Sequence, residues 1–525
     1  MSLVFEPAPP AAPADPQRAD VACFVGFVGR RAGRPLAPAL LAQLDAAGWV
    51  NGAWRRTPAQ LESLLNLPLA LDSWHLFDRF YDWDRRPLDA HGTRRCASYL
   101  GAAVRSFFAR GGKRAIVVRV GDPWPFLEQP EQRARHRARR LELMVPRERP
   151  FAPYDPSTWQ GLQHLHGLSD DSLVLLPDLV DACAPLLPPP ATVRAPAPVP
   201  EGFAPCDEET PPVPDTGLHR VPAPRLNHTG YRRWWTEVQA ARDFLAQRQR
   251  ATMLVAALPL PMATTRAGTH VHAQAELLAY LQQLGVLRDA AAEDIRQGRP
   301  AQALVQFAWP WLRTRAAQAD LPEGLEPADG VLAGLIARGA LARGTFRSVA
   351  GDRSLPVLRD VGGAEPVPSW GLGDDSPDGQ LAQRVCLFAP SAEGWALQSD
   401  VTSSAQDPWR FGGASRLLGT ILRAARSAGD AAAFEPNGER LWAHLRSTIE
   451  DLLAGFWREG AFGGDSMAEA FDVRCDRSTM TQNDLDAGRL VVIVRVRPAM
   501  AIERITVVLK LAHAASVEAP VAEAA

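Results

Sequence analysis

The densest set of side chains able to hold a metal is His164 and His166 followed by Asp170 and Asp171. A His-x-His pair can bind zinc or iron when the alternation of a strand puts both rings on one face and carboxylates complete the set. The same residues also read as a turn, LHGLSDD, that enters a strand at Ser172 to Pro177, and this reading needs no ligand. His270 and His272 repeat the spacing in a loop after the strand Thr252 to Leu258, with the same weakness. Gly26, Gly29 and Gly33 could turn backbone amides toward a phosphate. The GK[ST] of a phosphate loop is missing, however, and Gly29 is followed by Arg30 and Arg31. The run Arg133 to Arg140, RARHRARR, has no interleaved aromatics and reads as a solvated helix face rather than a nucleic-acid patch. Six cysteines, at 23, 96, 183, 206, 386 and 475, form no CxxC pair, which argues against a zinc site or a disulfide framework and fits a reducing compartment. The expectation is a chain with no catalytic residue, no cofactor and no metal. A metal- or nucleotide-dependent α/β enzyme is the competing class.

The elements that would position these groups follow from periodicity. Val21 to Val28 is a nearly continuous apolar strand, as expected for burial on both faces. Pro68 to Trp83 and Thr93 to Arg110 read as helices, the second with the stripe Tyr99, Leu100, Ala103, Val104, Phe107 and Phe108 and a stop at Gly111 and Gly112. Arg114 to Val120 is a strand. Pro185 to Pro224 is Pro/Ala-rich and reads as an extended excursion. Helices at 234–249 and 273–287 bracket the strand Thr252 to Pro261, and a further strand, helix and strand follow between Ala303 and Val361. Gly362 to Gln380 is polar and Gly/Pro-rich, a candidate domain boundary.

Composition excludes several classes. The 525 residues are 46% hydrophobic, enough for a large core, and 57 basic residues nearly cancel 59 acidic ones. A net charge of −2 gives no global pull toward nucleic acid or anionic membrane. No apolar run reaches the ~20 residues that span a bilayer, and the acidic, Pro-rich start does not resemble a secretion signal, so use without Sec export is expected.

The C-terminal quarter carries the most specific signal. FEPN at Phe434 to Asn437 is followed by a helix with Leu441, Leu445, Ile449, Leu452 and Leu453 on one face. Then come AFDVRCD at 470–476, TMTQNDLDAGRL at 479–490, and two strands, Leu490 to Val496 and Ile502 to Leu511, separated by Pro498. Over residues 434 to 513 this block resembles the C-terminal domain of contractile tail sheath proteins, a family that includes phage tail sheaths and the sheaths of phage-like extracellular contractile injection systems. The FVGF run at 24–27, YLGAAVRSFFARGGKRAIVVRV at 99–120 and EPADGVLAGLIARGALARGTF at 326–346 resemble the family's core. DPWR at 407–410 is similar to a family feature in shortened form. Where sheaths carry a motif of the type VWGARTL, this chain has GWALQSDVTSS at 394–404, a departure that bears on local packing.

The resemblance implies an α/β (α+β) fold: a mixed-sheet core with flanking helices, a C-terminal α/β domain and extended terminal arms. The expected divisions are an arm at 1–18, a core at 19–365, an inner domain at 366–504 and a terminal strand and tail at 505–525. It implies a subunit that polymerises helically around an inner tube and contracts, or a baseplate-proximal or cap paralogue that does not polymerise extensively. Its partners would be copies of itself, the tube protein, and baseplate and terminal cap proteins, with neither nucleic acid nor membrane. Assembly would occur in the bacterial cytoplasm, into a phage tail or tail-like particle. Leu3, Val4 and Phe5, with Ile505, Val507 and Leu509, would be strands exchanged between subunits, and an extended arm of ~18 residues could reach ~60 Å. Arg440, Arg446, Glu450 and Asp451 would face the tube.

Overall fold

The computed structural model describes residues 18–147, 151–185, 217–262, 273–287, 300–351, 358, 361–363, 377–392, 394–432, 435–483 and 490–499. The chain forms two compact units, Met1–Pro436 and Asn437–Ala525.

The first unit is built on eight strands: β1 (Val21–Phe27), β2 (Leu69–Leu71), β3 (Arg114–Gly121), β4 (Leu173–Leu175), β5 (Met253–Ala257), β6 (Val305–Trp309), β7 (Cys386–Ser391) and β8 (Gly394–Leu397). They lie in the order β8-β7-β6-β5-β4-β1-β3-β2. Pairings from β3 across to β7 are parallel. The edge strands β2 and β8 are antiparallel to their neighbours, so the sheet is mixed, as the resemblance implies. Every residue of β1, β4, β5 and β6 is buried, which is why these segments read as unbroken apolar runs.

Helices cover this sheet. Those used below are α1 (Tyr99–Ala109), α2 (Pro130–Met144), α3 (Leu179–Cys183), α4 (His228–Arg248), α5 (Asp329–Arg343) and α6 (Gly412–Ala431). Ser98 caps α1 by accepting from the Gly101 amide at 3.1 Å, and Asn227 caps α4 by accepting from Gly230 at 2.9 Å. Helices α1 and α5 pack with their backbones close. A Cβ on Gly330 would stand 2.5 Å from the Ala103 carbonyl oxygen, and one on Gly334 2.7 Å from that of Phe107. The small residues of GVLAGL are thus the packing surface itself.

One expectation is corrected here. Pro68 to Trp83 is not one helix: Leu69–Leu71 is the edge strand β2, and the helix begins at Trp74 with Ser73 as its cap. The stretch from Cys386 to Leu397 extends the large sheet, within the unit that runs to Pro436. The local sequence at 362–380 is linker-like, but pairing of β7 with β6 carries the chain back into the first core.

The second unit contains α7 (Glu439–Arg458), β9 (Phe471–Arg474) and β10 (Ile493–Val496), the strands pairing antiparallel from Phe471 opposite Val496 to Arg474 opposite Ile493. Trp442, Cys475 and Met480 form a small core with Leu441, Leu490, Val491 and Val492. Helix α7 buries Leu445, Ile449 and Leu453 as its spacing requires, along with Trp442 and Phe456. Among the described residues no helix is long and apolar enough to cross a membrane.

Candidate functional site

In open α/β sheets ligands bind outside the carboxyl ends of the strands where the strand order reverses. Here the reversal lies at β1, whose neighbours are β3 on one side and β4 on the other. The backbone N–H groups that could cradle an anion there already have one. Asp178, three residues after β4, accepts from the Phe27 amide at 2.7 Å and from the Leu100 amide in the first turn of α1 at 3.3 Å. Gly26 must lack a side chain because a Cβ would stand 2.3 Å from the Asp178 carboxylate. Burial pushes Asp178 up to about 7, against the pull of the Phe27 amide. The adjoining void, bordered by Leu176, Pro177, Trp234 and Asp329, holds about 10 Å³, room for one water at most. An internal carboxylate fills the place of a phosphate.

A second buried acid locks the floor of this crevice. Asp181 on α3 receives Arg86 Nη2 at 2.6 Å and also Arg133 Nη2, and all three side chains are almost fully buried. Arg133 further donates to the carbonyls of Phe126 at 3.0 Å, Asp181 at 2.7 Å and Ala184 at 3.1 Å. Arg86 donates to the Trp124 carbonyl at 2.9 Å and lies over the Trp124 and Phe126 rings. Although burial opposes it, the two guanidiniums hold the Asp181 carboxyl below the usual range.

The sequence candidates for chemistry do not converge. His164 and His166 lie on a short 3-10 helix, Gly161–Gly167, not on a strand. The His164 ring is buried beside Trp49 and Trp159 and is pushed down to about 3 by burial and then by Arg56. His166 sits against Phe151 and Trp159. Asp170 is exposed, whereas Asp171 is buried and accepts from the Thr252 hydroxyl at 2.8 Å. Among the described residues no group of three or more His, Cys, Asp or Glu side chains could hold a metal. His270 and His272 lie outside the described residues. Arg30 is spent on backbone carbonyls, including Phe80 at 2.9 Å and Glu62 at 2.9 Å, and Arg31 on Asp78, Asp82 and Asp84. The arginine run is only partly a solvated face. Arg133 points inward, and Arg140 pairs with Glu128 at 2.6 and 2.8 Å while stacking on Trp124.

The departure at 394–404 proves to be a structural joint. Asp400 accepts from both terminal nitrogens of Arg416 on α6, at 2.8 and 2.6 Å, from Gln306 of β6 at 2.9 Å and from the Val349 amide at 2.9 Å. Ser399 accepts from the Leu387 amide at 2.9 Å and donates to the Val385 carbonyl at 2.7 Å. Sequence reasoning missed Asp178, Asp181, Asp400 and Arg416. The available signal was a charge set inside an apolar run, as in LLPDLVDAC and ASRLLGTIL.

In the second unit, Arg440 and Asp451 are exposed on α7, and Arg446 and Glu450 lie 3.8 Å apart as a half-exposed pair one turn apart. Strands β9 and β10 form a sheet of two, so each has an edge that no other described strand covers. One face carries Val473 and Val494; the other carries Asp472, bonded to Arg474 at 2.9 Å and to Arg495 at 3.4 Å. Leu3, Val4, Phe5, Ile505, Val507 and Leu509 lie outside the described residues.

No protein-family profile and no curated protein matches the chain. Solved structures do. A chain of the anti-feeding prophage (AFP) baseplate in the contracted state is 18% identical with a TM-score of 0.55, covering 97% of each chain. A chain of the six-fold symmetrised AFP baseplate is 17% identical with a TM-score of 0.53 and covers 98% of each. A chain of the PVC sheath complex of an extracellular contractile injection system, also contracted, is 16% identical with a TM-score of 0.53, covering 98% of this chain and 97% of that one. The chain therefore has, from end to end, the fold of these sheath-complex and baseplate chains of contractile particles.

Proposed function

We propose that this protein is a structural subunit of a contractile sheath, polymerising helically around an inner tube and contracting to drive that tube through a target envelope. The observation that carries the reading is the fold match with a PVC sheath-complex chain along nearly the whole of both chains. The filled switch-point crevice supports it from the chemical side, since the amides that would bind a ligand anion are spent on Asp178. The two-stranded sheet of the second unit supports it mechanically. An isolated pair of strands is marginal in water, and an added strand from a neighbour would satisfy its edges through main-chain hydrogen bonds. Donor arm and acceptor edge differ, so the contact is heterologous and propagates along a helix instead of closing as a dimer. In this reading Leu3 to Phe5 and Ile505 to Leu509 are the exchanged strands, and α7 with Arg440, Arg446, Glu450 and Asp451 meets the tube.

A second reading is a baseplate-proximal paralogue that keeps the fold without extensive polymerisation, favoured by the matches to AFP baseplate chains. Negative-stain microscopy of the purified chain, alone and with its tube protein, separates the two. Long striated tubes are expected for the sheath; single rings or monodisperse particles under all conditions would reject it in favour of the paralogue.

A further inference from the structure

Strand β1 pairs in parallel with β3 from Val21 and with β4 from Ala22, and all seven of its residues are buried. A strand held on both sides is secure along its length and weakest at its end, where ladder hydrogen bonds can open one at a time. The residues just ahead of it are tied down. Arg18 closes on the buried Asp20, with Nε 2.8 Å from one carboxylate oxygen and Nη2 3.3 Å from the other. The Val21 carbonyl accepts from both the amide and the hydroxyl of Ser172, at 3.0 and 2.8 Å. A third tie comes from 405 residues away: Arg423 of α6 donates from Nη2 to the Arg18 carbonyl at 3.3 Å.

The packing of α6 places Arg423 for this contact. Gly419, one turn earlier, lets the helix come down on the chain just before β5, since a Cβ there would stand 2.5 Å from the Ala251 carbonyl oxygen. Arg423 donates from Nη1 to that same carbonyl at 2.8 Å and from Nη2 to the Thr420 hydroxyl at 3.0 Å. These acceptors are neutral. Among the described residues no carboxylate forms an ion pair with Arg423; Asp171 and Asp170 act on it from further off, and burial lowers it to about 10. A guanidinium that gives up water without a carboxylate in contact gains little from charge pairing. What its two terminal nitrogens do is span two chain segments, the lead-in to β1 and the lead-in to β5.

We propose that Arg423 is a clasp that holds the lead-in Arg18 to Asp20 against the body and keeps β1 from opening at its amino end. The rigid fork of a guanidinium reaches two carbonyls at once, whereas a lysine ammonium is a point charge on a flexible stem. A pull on the chain at Arg18 meets this clasp before it meets the ladder of β1. In the sheath reading such a pull would come from a neighbouring copy. The clasp itself rests on contacts within one chain, and its test needs no polymer, so it can fail or hold whatever becomes of that reading.

Trypsin provides the test, because Arg18 is the first Arg or Lys in the chain. Release of the peptide 1–18 from the full chain, followed by mass spectrometry, reports opening around the Arg18–Ala19 bond. Release should be slow in the wild type and about tenfold faster in Arg423→Met, the change expected for losing one hydrogen bond from a charged donor. Arg423→Lys, which keeps the charge but not the fork, should release the peptide nearly as fast. In both variants the rate should hardly change between zero and low urea, as for a local opening that exposes little surface. Hydrogen exchange over Ala19 to Cys23 should speed up in step, while that of α1 does not. An unchanged rate in Arg423→Met, or wild-type protection in Arg423→Lys, overturns the clasp. So does a rate that climbs steeply with urea, since the peptide would then leave only through unfolding of the whole unit.

Discussion

Arg416 presents both terminal nitrogens to Asp400, and neither side chain reaches solvent. The pair holds α6 against the sheet at the point where the sequence departs from its resemblance. Removing one member of a buried pair strands the other, so Asp400→Ala should destabilise the first unit by ~3–5 kcal/mol in urea unfolding, whereas replacing both with apolar residues of similar volume should recover much of the loss. A second residue-scale prediction concerns pH. Burial raises Asp178, Glu326 and Asp329 each to about 7, with Glu326 adding to the shift of Asp329. Unfolded, these groups titrate near ~4, so their contribution to stability is fully present below ~pH 4 and is lost as pH rises through about 7. Asp181 and Asp400, held low, act in the opposite sense and fail only as pH falls below the unfolded range. His164, kept neutral, costs stability as pH falls below ~6.5. Over the window from pH 6.5 to 7.5 the raised carboxyls dominate, and urea midpoints should decline. Asp329→Asn should remove ~0.7 kcal/mol of that decline across the window, because a group near 7 is on average half-protonated there; an unchanged slope would show that Asp329 is not buried as the acid. None of these charges was assigned from the sequence, because burial of Asp178 or Asp400 depends on partners 16 to 151 residues away in the hydrogen-bond network, not on immediate neighbours in the chain.

At the scale of elements, periodicity served wherever a segment was long and one-sided. The all-buried β1, the stripe of α1 and the face of α7 emerged directly, since continuous or 3.6-residue patterns are what burial on two faces or one helical face leaves in a sequence. The edge strand β2 did not, because three residues cannot display an alternation. Nor did β8, whose antiparallel pairing with β7 is closed by a short turn within a stretch that otherwise looks like a loop. Strand β10, by contrast, lies within the strand expected at Leu490 to Val496, and in the proposed reading the outer edges of β9 and β10 take part in assembly. If those edges take strands from neighbours, deleting residues 1–18, or truncating after Ala499, should abolish polymers in the microscope while leaving circular dichroism and the first unit's urea midpoint within ~0.5 kcal/mol of the full chain. Polymers of normal length from either truncation would assign assembly to surfaces of the globular units.

For the whole molecule, the proposed function raises the question of where the work of a contraction would come from. The large sheet has its crevice filled by Asp178 and its floor bolted by Arg86, Asp181 and Arg133, so the first unit is arranged to stay rigid rather than to close on a ligand. A rigid body in a helical polymer can store free energy only in its contacts with other copies. The extended polymer would then be a kinetically trapped state and the contracted one the more favourable packing, with the arms keeping neighbours connected as the bodies re-pack. The rate of such a transition is set by a barrier between packings, and it should rise steeply with heat, because the activation enthalpy is large, and with urea, which weakens the contacts of the trapped packing. Extended polymers assembled with their tube should therefore contract on mild warming or at sub-denaturing urea, in the presence of a chelator and without nucleotide. They should not re-extend when cooled or dialysed, because the contracted lattice is the lower state. Time-resolved scattering of the polymer diameter provides the measurement, and contraction that required added nucleotide, or reversed on cooling, would place the energy source in a bound ligand instead of in the lattice.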